Sequence, residues 1–342
     1  MKSIYEIISK FFFSISIICF LKFSLTKTKK KPEKVEFEYF ACFCTKIRQE
    51  NLYVRDLISY YLGIGFQKFI FGDNNLPNTE KLTDVIQDYI NNGTVDMFEI
   101  FGSPIGQGDF FQYVYEKYKT KCEWISFFDI DEYLKMYSMD NKTINIKEYL
   151  TNPIFSQCET ISINWLIYSD NNLLYYDNRS VLERFTSPNY DDYDNTFVKS
   201  LVRGNLNKVI FYPGKSNHVP DKRIIRCNSN GKRLKFHDYY SVNPPVFKYA
   251  YLMHYNTKTV EEYVKKIKRG ANRNGVYDIN ERVYRYFTHN TFTEEKLNLF
   301  EKAFNRTFDE FRHKYLEQDQ SSCKNVDINN IWLFLFIFWL LL

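Results

Sequence analysis

Three acids fall within four residues at the end of an apolar run: Asp129, Asp131 and Glu132 follow Trp124-Ile125-Ser126-Phe127-Phe128. Carboxylates gathered where a buried strand runs out suit a divalent cation and the phosphate that it carries. Alternate side chains on an extended backbone point to opposite sides, so one aspartate can bind the ion while the other meets a ribose or a metal-bound water. Glu132 reads as the cap of a following helix. Two aspartates one residue apart also open many solvated turns, so the pair needs partners elsewhere in the chain.

His254, in Leu252-Met253-His254-Tyr255-Asn256, is the first candidate partner. A lone histidine is more often a hydrogen-bonded structural residue, yet a neutral imidazole beside aspartate suits manganese. Lys258, Lys265, Lys266, Lys268, Arg269 and Arg273 come after it. Most of these belong to an ordinary solvated helix face. Lys258 and Arg269 are the two expected to contact a diphosphate, whose departing charge needs cations.

The elements that must position these residues alternate. A strand over 35–44 and a polar loop over 45–51 precede a helix whose Val54, Leu57, Ile58, Tyr61 and Leu62 recur at helical spacing. Next come strand 66–71, helix 79–90, strand 94–101, a helix marked by Phe111, Val114, Tyr115 and Tyr118, and strand 124–128. Such βαβ alternation predicts an α/β fold with a central, mainly parallel sheet, which binds ligands at the carboxyl ends of its strands. Lys46, Arg48 and Glu50 fall after the first strand, Asp73 and Asn74 after the second, and Asp129 and Asp131 after the fourth. No glycine-rich phosphate loop succeeds the first strand, which disfavours dehydrogenase and P-loop readings.

The second half is less regular. Strands are expected over 160–168, 181–185, 197–202 and 208–212, with another near His218, and the Tyr/Asp/Asn-rich stretch 189–195 reads as a mobile lid. Thr259-x-x-Glu262 is a capping box opening a helix that Gly270 closes. A last amphipathic helix is expected over 293–315.

The 342 residues can bury a substantial core, and 28 Tyr with 32 Phe make disorder an unattractive reading. Forty-six basic against 41 acidic residues leave +5, much of it in the lysine-rich stretch 27–34. Without an RNA-binding module, nucleic acid is not an expected partner. Residues 4–25 are long enough to span a bilayer as an uncleaved anchor, with a signal peptide as the rival. The lysines after that segment outnumber those before it, which by itself argues for a cytosolic side. Ser321-Ser322-Cys323, a polar spacer and the apolar 331–342 resemble a glycolipid-attachment signal, a terminal helix being the alternative. The division is therefore 1–34 anchor and linker, 35–318 catalytic-type domain, and 319–342 spacer and tail, with membrane association expected. The seven cysteines show no zinc-type spacing, and Cys42 and Cys44 read as core residues on opposite strand faces. Sequons at Asn92, Asn141, Asn178 and Asn305 permit a secretory location.

Across 40–274 the chain resembles glycosyltransferase family 92 and its family 2-like relatives. The matching pieces are Lys46 with Glu50, the helix end Leu57-x-x-Tyr60-x-Leu62-Gly63-Ile64-Gly65, Phe71-Gly72-Asp73-Asn74, and 124–134. Lys199-Ser200-Leu201-Val202-Arg203 with His218, and His254-Tyr255-Asn256-Thr257-Lys258 through Lys268-Arg269-Gly270, complete the set. The family's Lys-Asn-Glu is here Lys46-Ile47-Arg48-Gln49-Glu50, a departure at the expected base contact.

The resemblance implies a GT-A, Rossmann-like nucleotide-sugar fold, a UDP-sugar donor, manganese (or magnesium) on the Asp-x-Asp motif, and inverting transfer of galactose to a glycan or glycoconjugate. Asp129 would touch the ribose or metal, Asp131 would bind the metal, and His254 would be a third ligand. Lys46, Arg48, Glu50, Asp73, Asn74, Lys258 and Arg269 would surround the nucleotide. It also implies a luminal Golgi or ER domain, with a glycolipid-anchored surface protein as the alternative. Inversion requires a base opposite the leaving diphosphate. Asp170 and Glu183 are the candidates, Glu183 slightly preferred because an acid inside an apolar strand has its pKa raised; its plainer role is pairing with Arg184 or Arg203. The competing functions are a glycan-binding protein without chemistry and a nucleotidyl or phosphosugar transferase.

Overall fold

The computed structural model describes residues 36–101, 106–211, 220, 224–235, 240–270 and 277–307. The chain divides into Met1–Glu36 and Phe37–Leu342, and all the helices and strands named here belong to the second unit. The expected anchor, the C-terminal tail, His218, Arg273 and the end of the last expected helix lie outside the described residues. Among the described residues no helix is long and apolar enough to cross a membrane.

The first half keeps the predicted alternation: β1 (Tyr39–Ile47), α1 (Asn51–Gly63), β2 (Lys68–Asp73), α2 (Thr83–Asn91), β3 (Val95–Glu99), α3 (Gln107–Tyr118) and β4 (Cys122–Phe127). From Ala41 to Ile47 every residue of β1 is buried, as befits a central parallel strand covered on both faces. Tyr53, Val54, Leu57, Ile58 and Tyr61 are the buried face of α1. They bring that helix onto Phe43, whose ring centroid is 4.4 Å from that of Tyr61.

Then come β5 (Glu132–Met136), α4 (Ile146–Leu150), β6 (Thr160–Tyr168), α5 (Val181–Arg184), β7 (Pro188–Asn189), β8 (Val198–Arg203), β9 (Arg226–Asn228), β10 (Ala250–His254), α6 (Val260–Arg269), α7 (Ile279–His289) and α8 (Glu294–Phe304). The sheet runs β3-β2-β1-β4-β8-β6-β10-β5, with β7 and β9 pairing with β6 off this path. The half from β3 to β4 is parallel. Beyond it β8 runs antiparallel to both β4 and β6, and β10 is parallel to β6 but antiparallel to β5. The fold is α/β, with a mixed, mostly parallel sheet whose parallel half meets the antiparallel β8 at β4.

Several expectations change. Within the expected strand 181–185, Val181–Arg184 form a short helix instead, because Ser180 and Glu183 make a reciprocal capping box. Glu132 opens β5 rather than capping a helix, since its neighbours pair with β10. No strand forms over 208–211. Residues 189–195, expected as a lid, are tied down: Asn195 donates to the carbonyls of Asn189 and Tyr190 and accepts from the Ile167 N–H. Cys42 is not a plain core residue but joins Cys122 across β1 and β4, Cys158 joins Cys227, and Cys44 remains a free buried thiol.

One buried ion pair fixes the helix that carries the cations. Glu262 of α6 accepts from Arg184 of α5 at 2.7 and 3.0 Å and from the Tyr53 hydroxyl of α1 at 2.7 Å, while also completing the Thr259 cap. Both partners are almost fully enclosed. Removing one partner of such a pair strands the other charge, at a cost of about 3–5 kcal/mol. Arg184→Ala and Glu262→Ala are therefore each expected to lower stability by about that amount in urea unfolding. The paired replacement by apolar residues of similar size is expected to recover a large part of the loss; an unchanged midpoint in the single variants would refute this role for the pair.

Candidate functional site

The register of β5 against β10 sets His254 directly opposite Glu132, and the Tyr255 N–H donates to the Asp131 carbonyl at 2.9 Å. Asp131, Glu132 and His254 are all buried, and one donor atom from each lies within 4.8 Å of the other two. His254 Nε2 is 3.6 Å from Asp131 Oδ1, and Lys266 Nζ is 3.1 Å from Asp131 Oδ2. Burial pushes the Asp131 carboxyl up, but Lys266, the His254 contact and Lys258 outweigh it and hold the group well below the usual carboxylate range.

His254 goes the other way: burial lowers its pKa and favours the neutral imidazole, the form that binds metal. Its Nδ1 is buried without a hydrogen-bond partner. Burial, with Asp129 and Asp131 nearby, pushes Glu132 up to about 8 against the pull of Lys199. The Asp131 carboxylate, the Glu132 carboxyl and a neutral imidazole with a spare nitrogen form a donor set that fits manganese or magnesium, with Glu132 giving up its proton as an ion binds.

Asp129 is not a member of that trio. Its side chain is held by the Lys199 ammonium and by the Gln107 amide at 3.1 Å. Lys199, buried on β8, also reaches Glu132 Oε1 at 3.2 Å, and the two acids keep its pKa raised although burial works to lower it. The Asp129 N–H in turn donates to Glu132 Oε2 at 2.9 Å. Lys199, Lys266, Gln107 and Glu132 in this role were not among the expected site residues. Strand alternation offered a sign for Lys199 alone.

Beside the trio lies a cavity of about 290 Å³ lined by Glu50, Tyr53, Glu80, Asn256, Lys258 and Arg269 among others, with Lys266 shared between cavity and trio. Lys258 is buried in a left-handed backbone conformation, φ 55°, with its ammonium 4.4 Å from the Tyr53 ring centroid. Burial lowers its pKa. Arg269 is engaged: it pairs with Glu50 at 2.8 Å and donates to the carbonyls of Arg48 and Gln49, fastening the loop after β1 to α6. Lys46, Arg48, Asp73 and Asn74 are buried at the ends of β1 and β2, outside that lining. Asp73 accepts from the N–H groups of Asn75 and Leu82, so its carboxylate shapes the loop after β2.

The two carboxylates considered as bases are occupied elsewhere. Asp170 accepts from Tyr286 at 2.5 Å and from the Asn172 N–H at 2.9 Å, and pairs with Lys296 at 2.7 Å, anchoring α7 and α8 to the end of β6. Glu183 is exposed and caps α5, so it does not lie inside the apolar strand expected for it.

A second group of acids with histidine, Asp192, Asp194 and His289, differs in charge state. His289 Nδ1 is 2.6 Å from Asp192 and Nε2 is 3.3 Å from Asp194, while Arg285 reaches Asp194 at 2.5 Å. Burial opposes the charged imidazole, but the two aspartates outweigh it and push its pKa up to about 9. Two cations already balance two carboxylates, which makes this an ion-pair cluster.

A parallel half-sheet ends in clustered acids, and cations from a distant segment face them, so the site pairs metal-type donors with an enclosed positive cavity. The chain is similar to a glycosyltransferase family 92 protein of rice, Oryza sativa subsp. japonica, at 27% identity over 122 residues. That match covers 35% of this chain and 20% of the rice protein, so the chain spans about a fifth of the length of the curated relative it matches. The motif resemblance and this similarity point to the same family. No family model matches. Among solved structures, S. aureus TarS 1-349 aligns over 86% of this chain and 77% of its own, with a TM-score of 0.29 and 12% identity. A second S. aureus TarS structure aligns over 86% of this chain and 47% of its own, with a TM-score of 0.34 and 10% identity.

A group whose folded pKa is raised stabilises below its unfolded value and loses that contribution as pH rises through the folded one. His289 is therefore expected to stabilise the chain fully below about 6.5 and to lose the effect through about 9. The gap in unfolding free energy between wild type and His289→Gln, measured from pH 6 to 10, should shrink across that window. A gap independent of pH would contradict the ion-pair assignment.

Proposed function

We propose that this chain is a divalent-metal-dependent, inverting glycosyltransferase that moves a hexose, galactose by the family resemblance, from a UDP-sugar to a glycan or glycoconjugate acceptor. The observation that carries this reading is the buried Asp131, Glu132 and His254 trio sharing Lys266 with a cation-lined cavity.

The trio would hold manganese or magnesium, which when bound supplies positive charge against the departing diphosphate. The chain's own residues do the rest. Lys258 presents an enclosed ammonium to the cavity, where a phosphate oxygen would gain a charge-assisted hydrogen bond in a medium of low dielectric. Lys266 donates to Asp131 and to both the carbonyl and side chain of Asn256, which keeps the acid end of the site and the cavity wall in one geometry. Arg269 acts through Glu50 and the loop after β1, positioning that wall. Lys199 and Gln107 hold and orient Asp129, and a ribose hydroxyl is the contact proposed for it.

Purified protein given UDP-galactose is expected to release UDP only when manganese or magnesium is present. Asp131→Ala and His254→Ala should each lower that rate by about 100-fold or more while circular dichroism is unchanged. Metal-independent release, or full activity in Asp131→Ala, would sink the proposal; pyrophosphate as the product would indicate nucleotidyl transfer instead.

The two disulfides support an oxidising compartment, and with the apolar segment 11–21 they favour a membrane-associated protein whose domain faces the Golgi or ER lumen. Protease added to intact microsomes should leave the domain uncut. Digestion without detergent would place it on the cytosolic side.

A further inference from the structure

His254 does not end the site on its other side. Its ring centroid is 4.2 Å from that of Trp165 on β6, over which the Lys199 ammonium also lies at 5.2 Å. Trp165 meets Phe197 at 5.4 Å, and Phe197 meets Tyr193 at 6.3 Å in an edge-on contact. Tyr193 is 77% exposed. Three aromatic rings thus run in sequence from the buried trio to the surface. One oxygen of Asp131 faces the histidine that begins this run, and the other faces the lysine that lines the cavity.

We propose that Trp165, Phe197 and Tyr193 form the acceptor track, a binding surface for a neutral glycan whose terminal sugar reaches the trio. This assignment rests on the glycosyltransferase reading. Neutral sugars have C–H-rich faces that cover aromatic rings and hydroxyls that seek donors at their edges, so rings with a polar tip suit them better than plain apolar residues do. The track has both. The Trp165 indole N–H is buried and has no hydrogen-bond partner, a state that calls for an explanation in a folded protein. The Tyr193 hydroxyl supplies a polar tip at the exposed end.

The outer end of the track is built to stay in place. Tyr193 opens a 3-10 turn whose preceding Asp192 accepts from the Asp194 N–H at 2.9 Å. His289 and Arg285 of α7 hold the carboxylates on either side of that tyrosine. Asn164 of β6 donates to the carbonyls of Asn195 and Thr196 at 3.0 and 3.2 Å, and the backbone N–H of Trp165 donates to the Phe197 carbonyl. An exposed aromatic side chain on such a pinned turn loses little entropy when a ligand arrives, which is how rigid aromatic anchors contribute affinity. The charged groups beside Tyr193 are spent on one another, so they do not recruit an acidic ligand.

The test is an array of neutral oligosaccharides ending in galactose, N-acetylglucosamine, mannose or fucose, probed with the full chain. Sialylated and sulfated members serve as the acidic set. Wild type should retain some of the neutral members, and Tyr193→Ala and Phe197→Ala should each weaken that retention by about tenfold, a change of about 1.4 kcal/mol. Tyr193→Phe, which keeps the ring, should retain most of the binding, and thermal melts will identify any variant that fails to fold. Retention of only acidic glycans, of none at all, or of neutral glycans equally by wild type and Tyr193→Ala would overturn the proposal. UDP affinity of the wild-type chain reports separately on the donor reading. Tyr193-dependent glycan retention without UDP binding would leave the track standing and remove the transferase. UDP-sugar turnover indifferent to Tyr193 and Phe197 would do the reverse.

Discussion

Asp131, Glu132, Lys199 and His254 are buried together, and the sheet is arranged so that each has another to answer it. Taking a charge out of water costs several kcal/mol unless partners compensate. Here compensation comes from three different strands: Glu132 opens β5 with Asp131 just before it, the lysine comes from β8, and the histidine closes β10. A continuous parallel sheet would not bring these together. The antiparallel insertion of β8 beside β4, and the pairing of β10 with β5, are what put opposite charges within reach. The metal-type trio and the cation-lined cavity depend on that arrangement.

Around this centre the ionisable residues divide by what they touch. Arg184 with Glu262, Asp170 with Lys296, and Asp192 and Asp194 with His289 and Arg285 are closed clusters, each neutralised within itself and each tying a helix to the sheet or to another helix. The trio differs. It leaves a nitrogen of His254 unpartnered at a position continuous with Trp165, while the neighbouring cavity receives Lys258. The structural clusters balance their charges internally, whereas the trio shares Lys266 with a cavity that an arriving ligand can enter. By that distinction Asp170 and Glu183 carry architecture, although their residue type suited a base.

Much of the first half was legible in the chain because its signals are local. The apolar spacing of α1, the buried run of β1 and the capping box of α6 each depend on residues within one turn or one strand. The failures share a cause. Residues 181–185 look like a strand by composition, but the Ser180 cap decided for a helix. Asp129 and Asp131 look equivalent in sequence, yet Lys199, seventy residues away, takes one of them. Arg269 looks like a phosphate ligand until Glu50 is found beside it.

Sequence alone determined that an α/β sheet would deliver Asp129, Asp131 and Glu132 at the end of its fourth strand, and that a capped cationic helix would come after His254. Those features rest on short-range periodicity and capping chemistry, which are written in neighbouring residues. Only the tertiary structure decided which acid faces the histidine, that Glu132 belongs with it, and that Trp165 continues the site outward. Those outcomes depend on strand register and on the pairing of charges more than fifty residues apart, and register is set by the burial of the whole sheet rather than by any one segment of it.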